Sequence, residues 1–398
     1  MTSEPASDPS VFTAVPDGAR RQTLLELTEK GPVHRVTLPG GQEGWLVTGY
    51  DEARAALTDP RVSRGASGKV YGHLAPEAAR GLHHHMLNAN PPAHTRLRKL
   101  VAGTFTRRRL ELLAPTIEAI SAELVAAMRI RLDAGGTVDL VEDYAFRFTF
   151  RVLCALVGIP RLDEARLSQL FTLISAGPAT RIEDYRPAAQ EMLGLLRSLI
   201  AEKRRSPGED LLSGLVAARD GDDRLTEDEL TSMVWLLMVA GHETTAGLIV
   251  NGFRQLLEHP DQRAALRDDP DLLPGAIEEM LRFDGPLQAT LPAVAEEPLE
   301  LGGHFIEAGS LVMVSPLGAG LGPRPEPFEV GRTDPRHLAF GFGIHHCLGA
   351  PLARWEARVA FRDLLRDLDD VEQVDDALAR QPSLVFNRIV SLRVRTPR

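Results

Sequence analysis

The stretch from Thr226 to Pro260 constrains the fold more than any other part of the chain. It opens on Thr226-Glu227-Asp228-Glu229, a capping box in which a threonine and a glutamate three residues later close the first helical turn. No stop signal follows until His259-Pro260, so the pattern predicts a helix roughly three times the average length. Its centre, from Met233 to Gly241, is apolar nearly all round, which sends the helix through the core. His242-Glu243-Thr244-Thr245 then breaks the apolar run. Acid and alcohol groups in a core are costly unless paired, so these need a reason. A zinc-protease helix would carry a second histidine four residues after the first, but that position is Ala246. A hydrogen-bonded kink, with threonine bonding back to the preceding turn, is the structural alternative to a functional role.

The second informative stretch is Phe340-Gly341-Phe342-Gly343-Ile344-His345-His346-Cys347-Leu348-Gly349-Ala350. From Pro351 onward, apolar residues recur at three- and four-residue steps, which is the helical period. Proline suits a first turn, where its missing N–H costs nothing. Cys347 therefore stands at a helix N-terminus, where the dipole and free N–H groups favour a thiolate. Gly341, Gly343 and Gly349 let the backbone approach a large flat group or adopt positive φ. Phe340 and Phe342 keep water off the sulfur. A buried, inert cysteine is the plain alternative.

The run Phe340-Gly341-x-Gly343-x-His345-x-Cys347-x-Gly349 resembles the haem-thiolate loop of the cytochrome P450 family. The resemblance extends over nearly the whole chain and is to the soluble bacterial members. It implies haem b (iron protoporphyrin IX) with Cys347 as axial ligand, and Phe340, His345 and Gly349 beside the cofactor. A thiolate ligand pushes electron density to iron and favours O–O cleavage. Ala240-Gly241-x-Glu243-Thr244-Thr245 resembles the family's oxygen groove. By that match Gly241 leaves room beside the iron, and Glu243 and Thr244 relay protons to dioxygen. Pro91-Pro92 starts a further helix that sets His94 and Arg98 four apart on one face. The family's matching pair holds a haem propionate. Glu279 and Arg282, with Arg332, match the family's Glu-x-x-Arg network and imply a structural brace for the cysteine loop.

Three positions depart from the family's pattern. Many bacterial members carry a propionate-binding arginine where this chain has Ala293, so that role is not carried over. Leu317-Gly318-Ala319-Gly320-Leu321-Gly322-Pro323-Arg324 replaces a usual Ala-Asn-Arg-Asp and puts the local packing in question. Position 90 is Asn90 where aspartate is usual.

The expected fold is mainly α with small β-sheets, one large helical domain (20–398) enclosing haem, after a mobile tail (1–19). Val33–Leu38 and Trp45–Thr48 read as a hairpin, Arg61–Leu82 as a long loop, and Val101–Ile130, Tyr144–Val157, Leu162–Ala176 and Ala188–Lys203 as helices. The substrate pocket is expected to draw on Leu237, Val239, Ala240, Gly241, Leu291 and Ala293. A net charge of -10 argues against a nucleic-acid partner. Cys154 and Cys347, the two cysteines, make a poor disulfide framework, which fits a reducing, cytoplasmic compartment. No secretory signal, membrane anchor or transmembrane-length stretch is evident. Nor is there a nucleotide-binding Gly-x-Gly-x-x-Gly. The resemblance thus implies a monomer that hydroxylates or epoxidises a lipophilic small molecule of secondary metabolism. Its electrons come from a separate ferredoxin and ferredoxin reductase. Arg96, Lys99, Arg107 to Arg109, Arg354 and Arg358 would form a basic docking face. Oxidative coupling or cyclisation on the same haem, without net oxygen insertion, is the alternative.

Overall fold

Thr226 and Glu229 close the capping box: Thr226 Oγ1 accepts from the Glu229 N–H at 3.2 Å, and Glu229 Oε2 from the Thr226 N–H at 2.9 Å. Such a cap stabilises a helix start by about 1 kcal/mol. The helix runs over Glu227–Glu258, 32 residues, and stops before Pro260. By length and composition it is long and apolar enough to cross a membrane, which corrects the expectation that no stretch is; 72% of its apolar window is buried inside the protein. Helices Pro76–His83, Phe146–Val157, Ile182–Arg205, Leu273–Asp284 and Ala350–Asp367 pack against it. The largest core cluster is the apolar filling between them.

These features come from a computed structural model that describes residues 12, 16, 18–38, 41–65, 76–103, 105, 107–159, 164–175, 180–217, 219–220, 223–322 and 326–397. Most of the expected mobile tail lies outside them. Phe12 is nevertheless buried, Pro16 bridges to Ala379, and a helix begins at Ala19. The expected loop Arg61–Leu82 contains a strand, Val62–Ser63, and a helix, Pro76–His83, while 66–75 lie outside the described residues. The single helix expected from Val101 splits into Ala93–Ala102 and Arg107–Asp133. The helix expected over Ala188–Lys203 starts at Ile182, with Pro187 inside it; Glu183 and Asp184 suit its first turn.

A five-stranded sheet lies beside the helical body, in the order Val33–Thr37, Glu43–Val47, Leu311–Val314, Ala293–Ala295, Val62–Ser63. The first two form the expected hairpin, with Val33 opposite Val47. Val62–Ser63 runs antiparallel to Ala293–Ala295, pairing Val62 with Ala295 and Ser63 with Val294.

The glycine-rich departure folds as a short helix, Pro316–Leu321, capped by Ser315 Oγ, which accepts from the Gly318 N–H at 3.0 Å. A Cβ at Gly320 would sit 2.6 Å from the Arg282 carbonyl oxygen, closer than any side chain tolerates. Glycine is therefore required there, and the Gly320 carbonyl accepts from Arg282 Nη1 at 3.1 Å. The substitute segment packs onto the brace and leaves it intact.

Candidate active site

The cysteine loop is shaped by Gly341 and Gly343, at φ 70° and 71°, where a side chain would be strained. The Cys347 N–H donates to the Phe340 carbonyl at 2.8 Å and closes the loop. Helix Ala350–Asp367 follows, with Pro351 in its first turn. Burial pushes the Cys347 thiol up, although the Gly349 and Ala350 N–H groups and the charges of Arg98 and Arg354 pull the other way.

Cys347 opens onto a cavity of about 370 Å³, within the range of small-molecule sites. Phe340, His345 and Gly349 line it from the same loop, and His94 and Arg98 from helix Ala93–Ala102. Leu237, Val239, Ala240, Gly241 and Thr244 line it from the long helix, and Leu291 from the segment before the strand Ala293–Ala295. Two expected residues do not reach it. Ala293 is buried in its strand, and Glu243 faces into the core.

The polar break in the long helix resolves into separate environments. Thr244 Oγ1 donates to the Ala240 carbonyl at 2.6 Å, the back-bond that a kink would use, while lining the cavity. A Cβ at Gly241 would only graze Leu153, at 3.4 Å, so protein packing alone does not demand glycine. Glu243 is 2% exposed, and neither carboxylate oxygen has a hydrogen-bond partner among the described residues. Arg388 Nε lies 3.6 Å away, but Arg388 is already donating to Gln381 Oε1. Burial pushes the Glu243 pKa up, and Arg388 draws it only partly back. His242 is a core residue: Nδ1 meets Thr149 Oγ1 at 2.8 Å, and its ring stands edge-on to Phe146 at 3.9 Å. Burial holds it down to about 3, so it is neutral.

On another wall the rings of His94 and His345 lie 4.4 Å apart. His94 is buried, and its Nε2 has no partner among the described residues. Burial lowers the pKa of both, His345 to about 3, with the Arg64 and Arg98 charges adding to the effect. Both are then neutral donors at pH 7. Arg98 Nη2 donates to the His346 carbonyl at 2.7 Å, tying this wall to the cysteine loop. An orphaned imidazole nitrogen and a guanidinium on one wall of a mostly apolar cavity fit the carboxylate edge of a porphyrin.

Glu279 is fully buried and takes Arg282 in a fork, Nε to Oε2 at 2.6 Å and Nη2 to Oε1 at 2.7 Å. Arg332 Nε lies 3.1 Å from Oε2, completing the expected network. Sequence reasoning missed the neighbouring Glu278, which makes the direct link to the cysteine helix. It accepts from Arg354 Nε at 2.7 Å and Nη2 at 2.8 Å, and meets His337 Nε2 at 3.0 Å. Burial opposes ionisation of Glu278, but Arg354 and His337 outweigh it and hold the carboxyl at about 2. Arg354 in turn lies 4.3 Å over the Phe340 ring. Within the expected basic docking face, Arg354 pairs with Glu278 and Arg96 with Glu229.

A sulfur donor, carboxylate-binding groups and dry walls around one cavity, at the centre of a helical body, define a haem-thiolate oxygenase. The chain belongs to the cytochrome P450 family, whose family model matches residues 162–386. It is 47% identical over 88% of its length to the cytochrome P450 monooxygenase PikC of Streptomyces venezuelae, covering 84% of that protein. It is 40% identical to 6-deoxyerythronolide B hydroxylase of Saccharopolyspora erythraea, with 94% of this chain and 95% of that one covered. The tirandamycin C-bound structure of the monooxygenase TamI superposes with a TM-score of 0.87 at 39% identity, over 99% of this chain and 100% of that one. The family's cofactor is iron protoporphyrin IX, and the enzyme class is that of a cytochrome P450 monooxygenase.

Proposed function

We propose that the chain hydroxylates or epoxidises a lipophilic small molecule of bacterial secondary metabolism, with Cys347 as the axial ligand. The observation that carries this reading is a single apolar cavity onto which Cys347, Thr244, His94, Arg98 and His345 all open. Haem, when bound, supplies dioxygen activation through a thiolate-ligated iron. His94, Arg98 and His345 offer N–H groups to its carboxylates. Leu237, Val239 and Leu291 give an apolar wall that admits a hydrocarbon and excludes water. The Thr244 hydroxyl stands on that wall as donor and acceptor. Glu243 lies one residue back, and burial favours a proton on its carboxyl. Glu243 faces the core and makes no hydrogen bond to Thr244, so a relay through the pair requires its side chain to turn toward the cavity, away from Arg388 at 3.6 Å. Coupling without oxygen insertion would leave this acid–alcohol pair without a task.

Thr244→Ala tests the relay. Haem content is expected to stay unchanged, while most of the reducing equivalents are diverted to peroxide. Coupling equal to the wild type removes Thr244 from the relay. Substrate class is tested by optical titration of the ferric protein with polyketides, terpenoids, steroids and modified peptides. A saturating blue shift of the Soret band is expected for one class, and no shift from any of them counts against a free lipophilic substrate. For electron delivery we propose a ferredoxin docking near the exposed Lys99, Arg108 and Arg358.

A further inference from the structure

We propose that Arg64 is a haem-propionate ligand of this chain, taking over the part of the arginine that is missing at Ala293. The inference rests on the haem reading above and adds a residue to it.

The sheet register places the two positions together. Val62 pairs with Ala295 and Ser63 with Val294, antiparallel. Continuing that register by one residue sets Arg64 directly opposite Ala293. Side chains opposite each other in an antiparallel pair leave the same face, their Cβ atoms about 5 Å apart. An arginine lost from one strand is thus replaced by one on its neighbour, aimed to the same side. Ala293 carries only a methyl group and is buried. Arg64 lines the cavity that His94, Arg98 and His345 also line, and it is near enough to His94 for its charge to act on that imidazole.

The surroundings of Arg64 leave its guanidinium available. The Arg64 N–H donates to Asn90 Oδ1 at 3.1 Å, and Asn90 Nδ2 donates to Ser63 Oγ. Asn90 therefore fixes the backbone at Arg64. Being an amide, it brings no charge that would compete for the guanidinium, as the aspartate usual at this position would. Among the described residues no carboxylate pairs with the Arg64 side chain, and burial alone lowers its pKa, to about 10. A guanidinium held largely out of water calls for an anion. Two propionates bring two negative charges, and Arg98 alone matches one of them. Arg64 adds a second fixed charge with a forked set of N–H donors, the geometry suited to a carboxylate.

The test is the rate at which the purified haem-loaded protein loses haem to excess apomyoglobin, followed at the Soret band. Arg64→Ala is expected to lose haem about tenfold faster or more, the scale of one charge-assisted hydrogen bond. Arg64→Lys should fall between Arg64→Ala and the wild type. The double variant Arg64→Ala with Ala293→Arg, which returns the guanidinium to the neighbouring strand, should recover slow loss. Loss at the wild-type rate in Arg64→Ala overturns the proposal and leaves the arginine to the substrate. Equally fast loss from the alanine, lysine and double variants overturns it too, since charge at this spot would then not be what is missing. A wild-type protein without a Soret band would instead remove the haem reading on which the proposal stands.

Discussion

Replacing Cys347 with histidine will abolish the red-shifted Soret band of the ferrous–CO form, with no residual fraction. The band reports a thiolate bonded to iron, and among the residues lining the cavity Cys347 is the sole sulfur donor besides the thioether of Met86. Cys154, the other cysteine, is buried in helix Phe146–Val157 and does not line the cavity. The loop that presents Cys347 should survive the change. Its shape comes from the positive φ of Gly341 and Gly343 and from the backbone bond between Cys347 and Phe340, none of which involves the sulfur. The prediction is therefore a folded protein with a histidine-type spectrum and monooxygenase turnover reduced to background. The CO difference spectrum of dithionite-reduced protein is the measurement. A surviving thiolate band would assign the axial ligand to another residue and dissolve the reading of the whole loop.

The fold and the site were legible to different depths, for physical reasons. The long helix could be read because its signals are local: a capping box, an unbroken apolar centre and a proline stop. The cysteine loop could be read because Gly341 and Gly343 sit where positive φ is needed. Breaks between helices were less legible. Pro187 reads as a stop, yet a helix runs through it, and Gly103 ends a helix whose pattern continues beyond it. The site's missed residues share one property: their partners are distant in sequence. Glu278 matters because Arg354 and His337 come to it from the cysteine region. Arg64 matters because a two-residue strand lands beside Ala293. Glu356 is buried and lines the cavity with one carboxyl oxygen unpartnered, and burial pushes its pKa well up; no spacing in the sequence marks it. Ala293 and Glu243 show the converse. Their places in a motif are plain, but strand burial takes one from the cavity and helix rotation takes the other.

Glu279→Ala is expected to be the most destabilising single change outside the cysteine loop. Alone in a sequence, Glu279 and Arg282 look like one of the many surface pairs that contribute a few tenths of a kcal/mol. Their setting removes that reading, since Glu279 is 0% exposed and Arg282 is 4% exposed. Glu279 also accepts from the Glu329 N–H at 3.1 Å and faces Arg332, so it anchors two arginines and a backbone segment at once. Removing one partner of a buried pair leaves an uncompensated charge and costs about 3–5 kcal/mol. Here two guanidinium groups would lose their carboxylate. That loss is comparable to the whole stability of a marginal protein, about 5–15 kcal/mol. The expected result is little or no soluble haem-loaded protein. Glu279→Gln keeps the acceptor oxygen and the shape but drops the charge, and should fold with a clearly lowered urea midpoint. The damage should reach the haem through the adjacent Glu278, whose bonds to Arg354 and His337 depend on the same helix holding its place. Urea unfolding followed at both the Soret band and the far-ultraviolet helix signal separates the two effects. If Glu279→Ala unfolds within about 1 kcal/mol of the wild type, the range of an exposed pair, the brace is not structural. The network would then need a role in electron delivery or partner docking instead.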